Sequence, residues 1–310
     1  MSNFSLLPIF IKDITLKTKF LILTSAIALG LATNSAMAVV ISTNVGPNPG
    51  TALSAAVLAS GSGISVIGGS QTYQGNASTQ AQQSATYTGF NLAPSSGSTP
   101  TLVLANGILL TTGSANLPLT NTLNEFTNAP GSGSNALLSG LSGTDTFDSN
   151  VISFNFTVAQ GVTSVSAQFV FGTDEFPTQP VTDIFGFFVD GVNYAIFPTG
   201  ELISNTPNNP TNFISNPVGG GLYGIEYNGL TPVFNVVGLL NLGLGTHTIS
   251  FGVADTEDDI FDSGVFIAGL QAGTAIGGGI NPNPVPEPAT LALLCIGLAG
   301  LGAMRYKQRA

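Results

Sequence analysis

Residues 150–158 read Asn-Val-Ile-Ser-Phe-Asn-Phe-Thr-Val, and from Ile152 onward apolar and polar side chains alternate. Successive side chains of a β-strand point to opposite faces, so this alternation predicts a strand with one apolar and one polar face. Residues 165–171, Val-Ser-Ala-Gln-Phe-Val-Phe, repeat the pattern in the next strand. Strands of this kind predict two sheets packed face to face with the core between them.

The chain on either side of these strands continues the β pattern. Residues 184–189, Ile-Phe-Gly-Phe-Phe-Val, are apolar on both faces, as in a central strand, and Asp190-Gly191 is typical of a hairpin turn. Further strands are predicted, the first two as a pair, at 231–242, 246–254 and 265–271. Short strands separated by Gly and Asn turn residues predict an all-β fold, a β-sandwich or jelly-roll-like domain at 39–271.

Three stretches depart from the β pattern. Residues 51–59 have the apolar spacing of one short helix. Residues 116–143 are poor in aromatic residues and rich in Asn, Leu, Gly and Ser, which predicts a long irregular excursion. Residues 272–284 are first Gly-rich and then Pro-rich, which is typical of a linker.

Residues 1–38 have the three parts of a secretory signal peptide. Three Lys residues precede an apolar run at 20–32, and the small residues Ala36 and Ala38 mark a cleavage site after Ala38. An uncleaved signal helix that anchors the chain is the alternative. The only Cys lies at position 295, so the exported part contains no disulfide and must be stabilised by packing.

The C-terminal region has the organisation of a membrane-inserted sorting segment. Pro286, Glu287 and Pro288 are followed by an apolar run at 289–304 and a basic tail that begins at Arg305. The run predicts a short transmembrane helix, and the basic tail favours a cytoplasmic C-terminus.

The segment 285–310 resembles the PEP-CTERM sorting signal of Gram-negative bacteria. The resemblance implies recognition by an exosortase, transient insertion into the inner membrane and removal of the tail. The domain would then remain at the cell surface or in an extracellular exopolysaccharide matrix such as a biofilm. A permanently tail-anchored envelope protein is the alternative.

The distribution of charge excludes one class of partner. The net charge is −10, and no Lys or Arg occurs between Ala38 and Met304. Proteins that bind nucleic acid need basic side chains to neutralise phosphates, so we expect no nucleic-acid partner.

Five segments of the central region are similar to the choice-of-anchor L domain in order and spacing, over roughly residues 52–271. They are 107–113 (GILLTTG), 171–176 (FGTDEF), 182–188 (TDIFGFF), 254–255 (AD) and 261–266 (FDSGVF). The chain departs from the family pattern at 173–176, where Ser-Glu-Glu-Tyr is usual, and at 255–258, where Asp-Ala-Gly-Asp is usual. Both departures retain carboxylates. The resemblance implies a fold and a location at the cell surface, but no particular biochemical activity.

Three acidic groups occur at the predicted strand ends. Without Lys or Arg nearby, each carboxylate must be solvated, accept hydrogen bonds from backbone N–H groups, or bind a cation. Clustered oxygen ligands in extracellular loops suit Ca²⁺, and we hypothesise a structural Ca²⁺ site. Turn-capping and solvated carboxylates are the alternative. The candidate ligands are Asp174, Glu175, Asp183, Asp255, Asp258 and Asp262.

We expect no enzymatic activity and favour a binding or structural module that contacts polysaccharide or other surface proteins. The alternative is a carbohydrate-active enzyme of the glycoside-hydrolase type, with Glu175 as acid and Asp183 or Asp258 as base. The chain contains no Trp on which sugars could stack. His247 is the only His, and its neighbours predict a surface position on a strand rather than a catalytic role.

Overall fold

The computed structural model describes residues 39–281, apart from 79–81, 98, 178, 180–181 and 205–209. The predicted signal peptide with Ala36 and Ala38 therefore lies outside the described residues. The same holds for the sorting segment with Pro286, Glu287, Pro288 and Arg305, and for both predicted terminal helices. In the part of the chain that is described, no helix is long and apolar enough to cross a membrane.

The described chain is built almost entirely from short strands. Their bounds in chain order are β1 (Val40–Ser42), β2 (Ile64–Val66), β3 (Thr72–Gln74), β4 (Ser84–Thr88), β5 (Asn91–Leu92), β6 (Leu102–Val103), β7 (Gly107–Thr111), β8 (Thr146–Val158), β9 (Ser164–Thr173), β10 (Ile184–Val189), β11 (Val192–Asn193), β12 (Ile214–Ser215), β13 (Gly229–Leu230), β14 (Phe234–Leu239), β15 (His247–Thr256), β16 (Ser263–Gly273) and β17 (Gly279–Asn281). Helical segments are α1 (Pro49–Val57), α2 (Ala136–Ser142) and a 3₁₀ turn at Pro210–Asn212. The predicted all-β class and the short helix near residue 51 are confirmed.

Two large antiparallel sheets form the domain, and β5 and β6 form a separate two-stranded sheet. Sheet I has the order β1-β4-β7-β16-β9, and the far edge of β9 pairs with both β13 and β14. Sheet II has the order β11-β10-β15-β8, with β2 and β3 on the outer edge of β8. The predicted pairing of the strands near 231–242 and 246–254 is wrong, because the chain crosses between sheets there. Strand β14 joins sheet I and β15 joins sheet II.

The main core lies between the sheets and follows from the alternation in the sequence. Phe154 and Phe156 of β8 and Phe169 of β9 are each no more than 1 % exposed and belong to one apolar cluster. The Phe169 ring lies 5.0 Å from that of Phe185, which belongs to the opposite sheet. Each fully buried aromatic side chain contributes about 1.5 to 3 kcal/mol, so packing can stabilise the fold without a disulfide.

Strand β10 is buried on both faces, as its sequence predicts. Phe185 and Phe187 face the main core, whereas Ile184 and Phe188 pack against Leu138 of α2. Helix α2 forms because Asn135 caps its first turn through Oδ1 and Gly143 ends it with a left-handed backbone conformation. The predicted irregular excursion therefore ends in a helix that covers sheet II.

The predicted linker is partly structured. Within residues 272–284, Gly279–Asn281 form β17, which pairs with β14 at the edge of sheet I. Gly and Asn are poor strand formers, so only this tertiary pairing makes the segment extended.

Candidate functional site

At one end of the sandwich, the inward-facing positions change from apolar to polar. Six strands that line the main core each have a buried polar residue two positions beyond their last core residue, in the same alternation phase. These strands are β7, β8, β9, β10, β15 and β16. We call these residues the polar end, and they are Thr112, Asn150, Thr173, Asp183, Asp255 and Ser263. Antiparallel pairing brings them together, as the partners Ser263 and Thr173 illustrate.

Asp183 and Asp255 form a pair of buried carboxylates within the polar end. Ile184 pairs with Ala254, so Asp183 and Asp255 are the next cross-strand neighbours. They are 1 % and 0 % exposed, and by distance and angle criteria none of their four carboxylate oxygens has a hydrogen-bond partner. Burial raises the pKa of both well above its usual range, and the charge of Glu175 adds to the shift of Asp183, as that of Asp183 does for Asp255. The Ser263 hydroxyl and the Asp255 carboxyl group lie close enough to Asp183 to lower its pKa in part, and the Thr112 hydroxyl does the same for Asp255.

Asp174 and Asp262 are buried too, but their oxygens accept hydrogen bonds. Asp174 accepts from the backbone N–H of Phe126 at 2.5 Å and of Asn228 at 3.1 Å. Asp262 accepts from the backbone N–H of Asn128 at 3.0 Å and from its side-chain amide at 3.1 Å. Burial raises the pKa of each to about 7, and these hydrogen bonds limit the shift. Both side chains thus hold the irregular excursion against the sandwich.

Two further carboxylates, missed by the sequence reasoning, act in the same way. Glu226 Oε1 accepts from the N–H groups of Thr122 and Leu123 at 3.0 and 2.7 Å. Asp148 Oδ1 accepts from those of Gly131 and Ser132 at 2.6 and 3.0 Å. In the sequence, Asp148 has the same alternation phase as Ile152 of β8, and this pattern could have indicated that its side chain is buried. Nothing in the sequence around Glu226 indicated its role.

Together these four carboxylates anchor the excursion in chain order. Residues 122–132 contain neither helix nor strand, so their N–H groups have no ladder partners. We call the four the anchoring carboxylates, and they are Asp148, Asp174, Glu226 and Asp262. Asp174 and Asp262 thus accept hydrogen bonds from backbone N–H groups, which is the turn-capping role considered in the sequence analysis as the alternative to Ca²⁺ binding.

Glu175 and Asp258, the two remaining candidate Ca²⁺ ligands, differ in burial. Glu175 is 1 % exposed, and burial raises its pKa to about 9, with the charges of Asp258, Asp255 and Asp174 adding to the shift. Asp258 is half-buried in a turn, where its Oδ1 accepts from the N–H of Ile260. The structure therefore brings Glu175 to the buried pair and leaves Asp258 at the rim. Among the described residues, no three Asp, Glu, His or Cys side chains already form a group able to hold a metal ion.

The predicted surface position of His247 is wrong. Its side chain is buried, with Nδ1 2.8 Å from Asp190 Oδ2. Asp190 also accepts hydrogen bonds from the N–H groups of Asn241 and Thr248. Its carboxylate therefore connects the start of β15 to the loop that precedes it. Eight residues of β15 separate His247 from Asp255, a distance of about 26 Å, so the imidazole takes no part in the polar end.

Comparison with known proteins gives two matches. A family model described as the choice-of-anchor L domain matches residues 51–271, and a model described as the PEP-CTERM protein-sorting motif matches residues 284–307. Both resemblances inferred from the residues are confirmed. No curated protein and no solved structure matches the chain. The sorting motif indicates an exported protein that an exosortase recognises and directs to the cell surface.

Replacement of Asp174 by Ala should release part of the excursion. The buried N–H groups of Phe126 and Asn228 would lose their acceptor, which costs about 1 to 3 kcal/mol. We expect amide exchange at Phe126 to accelerate by about tenfold or more in hydrogen-exchange measurements. Asp145→Ala, at an exposed carboxylate, is the control, and unchanged exchange at Phe126 would refute the anchoring role.

Acidification should stabilise the metal-free protein. The pKa values of Asp174 and Asp262 rise from 3.8 to about 7 on folding, and that of Glu175 rises from 4.5 to about 9. Between these limits the folded state binds more protons, so stability is full below the unfolded pKa values and is lost as pH rises through the folded ones. In EDTA, the Tm followed by circular dichroism should be higher at about pH 5 than at about pH 8. The opposite order would contradict the prediction.

Proposed function

The chain belongs to the choice-of-anchor L family, and from this membership we propose that its β-sandwich is a non-catalytic binding or structural module of the cell surface. After sorting, the module resides at the surface or in the exopolysaccharide matrix of a Gram-negative bacterium. There it contacts polysaccharide or other surface proteins, and Ca²⁺ stabilises its fold.

The observation that supports this proposal best is that the carboxylates considered for catalysis are largely buried. A glycoside hydrolase needs two carboxyl groups that flank a sugar in an open cleft. Glu175, the acid in both carboxylate pairs considered for such an enzyme, is only 1 % exposed, as is Asp183, one of the two candidate bases. The other candidate base, Asp258, is half-buried. A sugar ring cannot reach Glu175 or Asp183 without opening the polar end.

The surface cavities also favour a binding module. Three cavities of about 310, 270 and 620 Å³ lie among the described residues. Of these three, only the 270 Å³ cavity has a carboxylate in its lining, Glu257. That cavity lies beside the buried pair, since Thr182, Ile184 and Thr256 in its lining are chain neighbours of Asp183 and Asp255, but neither of these two aspartates lines it.

The charge of the module limits its ligands. Exposed Glu125, Asp145, Glu257 and Asp259 are not balanced by any Lys or Arg between residues 39 and 304. Such a surface repels anionic polymers at low salt, so uncharged sugars, or anionic ones bridged by a cation, suit it best.

Sorting should depend on the Pro-Glu-Pro motif. With Pro286, Glu287 and Pro288 all replaced by Ala, we expect the chain to remain full-length in the inner-membrane fraction because the exosortase no longer recognises it. Wild type should appear shortened in the surface fraction, as judged by cell fractionation and intact-protein mass. Pro282→Ala with Pro284→Ala, next to the motif, is the matched control. Equal surface display of the triple variant would refute the assignment.

The module should bind polysaccharide without cleaving it. We expect the surface-released protein to be retarded by the host exopolysaccharide in affinity electrophoresis, with no increase in reducing ends. Glu175→Gln should leave both readouts unchanged. Release of reducing ends by wild type that is lost in Glu175→Gln would favour the hydrolase, and absence of retardation would leave surface proteins as the partners.

A further inference from the structure

The buried pair Asp183 and Asp255 differs from the anchoring carboxylates in one respect. Every anchoring carboxylate accepts at least one backbone hydrogen bond, whereas all four oxygens of the pair lack a partner by distance and angle criteria. Two adjacent carboxylates that are at least 99 % buried and accept no backbone hydrogen bond need positive charge, either from protons or from a cation.

We propose that Asp183 and Asp255 are the charged ligands of a Ca²⁺ site between the two sheets, at the polar end of the sandwich. This assignment deepens the Ca²⁺ stabilisation in the proposed function and rests on it. It narrows the six ligands predicted from the sequence, because Asp174 and Asp262 are committed to the excursion and Asp258 to a turn. Glu175 remains beside the pair, where its charge acts on Asp183.

The neutral oxygens that a calcium ion needs are present opposite the pair. Ser263 and Thr112 belong to sheet I and are 0 % exposed. The Ser263 hydroxyl lies near Asp183. The Thr112 hydroxyl lies near Asp255, and its oxygen also accepts from the N–H of Ser263 at 3.0 Å. Ca²⁺ takes six to eight oxygen ligands and accepts hydroxyl and carbonyl oxygens beside carboxylates, as in this arrangement. Mg²⁺ requires a strict octahedron and retains its waters, so it fits a buried pair less well.

The surrounding charges favour a divalent cation. Glu175 and Asp262 both add negative potential at Asp183. No Lys or Arg exists between residues 39 and 304 to offset it, and His247 lies at the far end of β15. Neutralisation of both charges by protons requires one on each carboxyl group, whereas one Ca²⁺ neutralises both.

Binding of the metal itself is the direct test. The full-length chain in mild detergent is stripped with EDTA and dialysed against radioactive calcium at neutral pH. We expect one Ca²⁺ per wild-type chain and none in Asp183→Asn or Asp255→Asn. Asp259→Asn removes the same formal charge from an exposed position and should bind as wild type does. Absence of binding to wild type at millimolar Ca²⁺, or undiminished binding by both pair variants, overturns the proposal.

Thermal unfolding is a second test, because Ca²⁺ and the substitution Asp183→Asn should change the Tm in different ways. At about one hundred times Kd, Ca²⁺ should raise the Tm of wild type and Asp259→Asn by about 5 to 10 °C. Equimolar Mg²⁺ should raise it much less. Asp183→Asn should show no Ca²⁺ response, yet in EDTA it should melt above wild type because the amide removes a buried charge.

A shared proton makes a different prediction. Wild type would then gain Tm on acidification but show no Ca²⁺-specific rise, and this result overturns the site. If Asp183→Asn fails to fold, calcium dialysis of wild type still decides the question. Retardation by polysaccharide without calcium binding would remove the site and leave the proposed display and binding role intact.

Discussion

A buried carboxylate needs hydrogen-bond donors or a positive charge, and this constraint organises one whole end of the molecule. Between residues 39 and 304 the chain has no Lys or Arg, so the donors must come from the backbone. The excursion at 122–132 has N–H groups without ladder partners, and the anchoring carboxylates accept from them in chain order. Each side therefore satisfies the other, and a segment without helix or strand closes the sandwich.

The fold could be predicted where the signal is local. Strict alternation in β8 and β9, together with the doubly apolar β10, is sufficient to indicate strands that line a core. The sequence also indicated that the acidic groups lie at strand ends, and antiparallel pairing brings strand ends together. The two terminal sorting segments could be recognised because their parts occur in a fixed linear order.

The remainder depends on contacts that no local pattern records. The excursion has no periodicity, so which N–H group meets which carboxylate is decided only in three dimensions, and Glu226 could not be identified. His247 appeared exposed because its neighbours are polar, but the Asp190 side chain reaches it across the start of β15. The crossover between β14 and β15 was read as a hairpin, since short loops look alike whether they return to the same sheet or pass to the other. Strand β17 has a composition typical of a linker and becomes a strand only through β14.

Strand β17 also limits the distance between the folded domain and the sorting motif. It ends at Asn281, and residues 282–285 are all that separate it from Pro286. The five residue steps from Asn281 to Pro286 span at most about 18 Å when fully extended. A sorting enzyme that recognises the motif in the folded protein must therefore work within that distance of the β14–β17 edge. The shape of the β14–β17 edge therefore limits how an enzyme can approach the motif while the domain is folded.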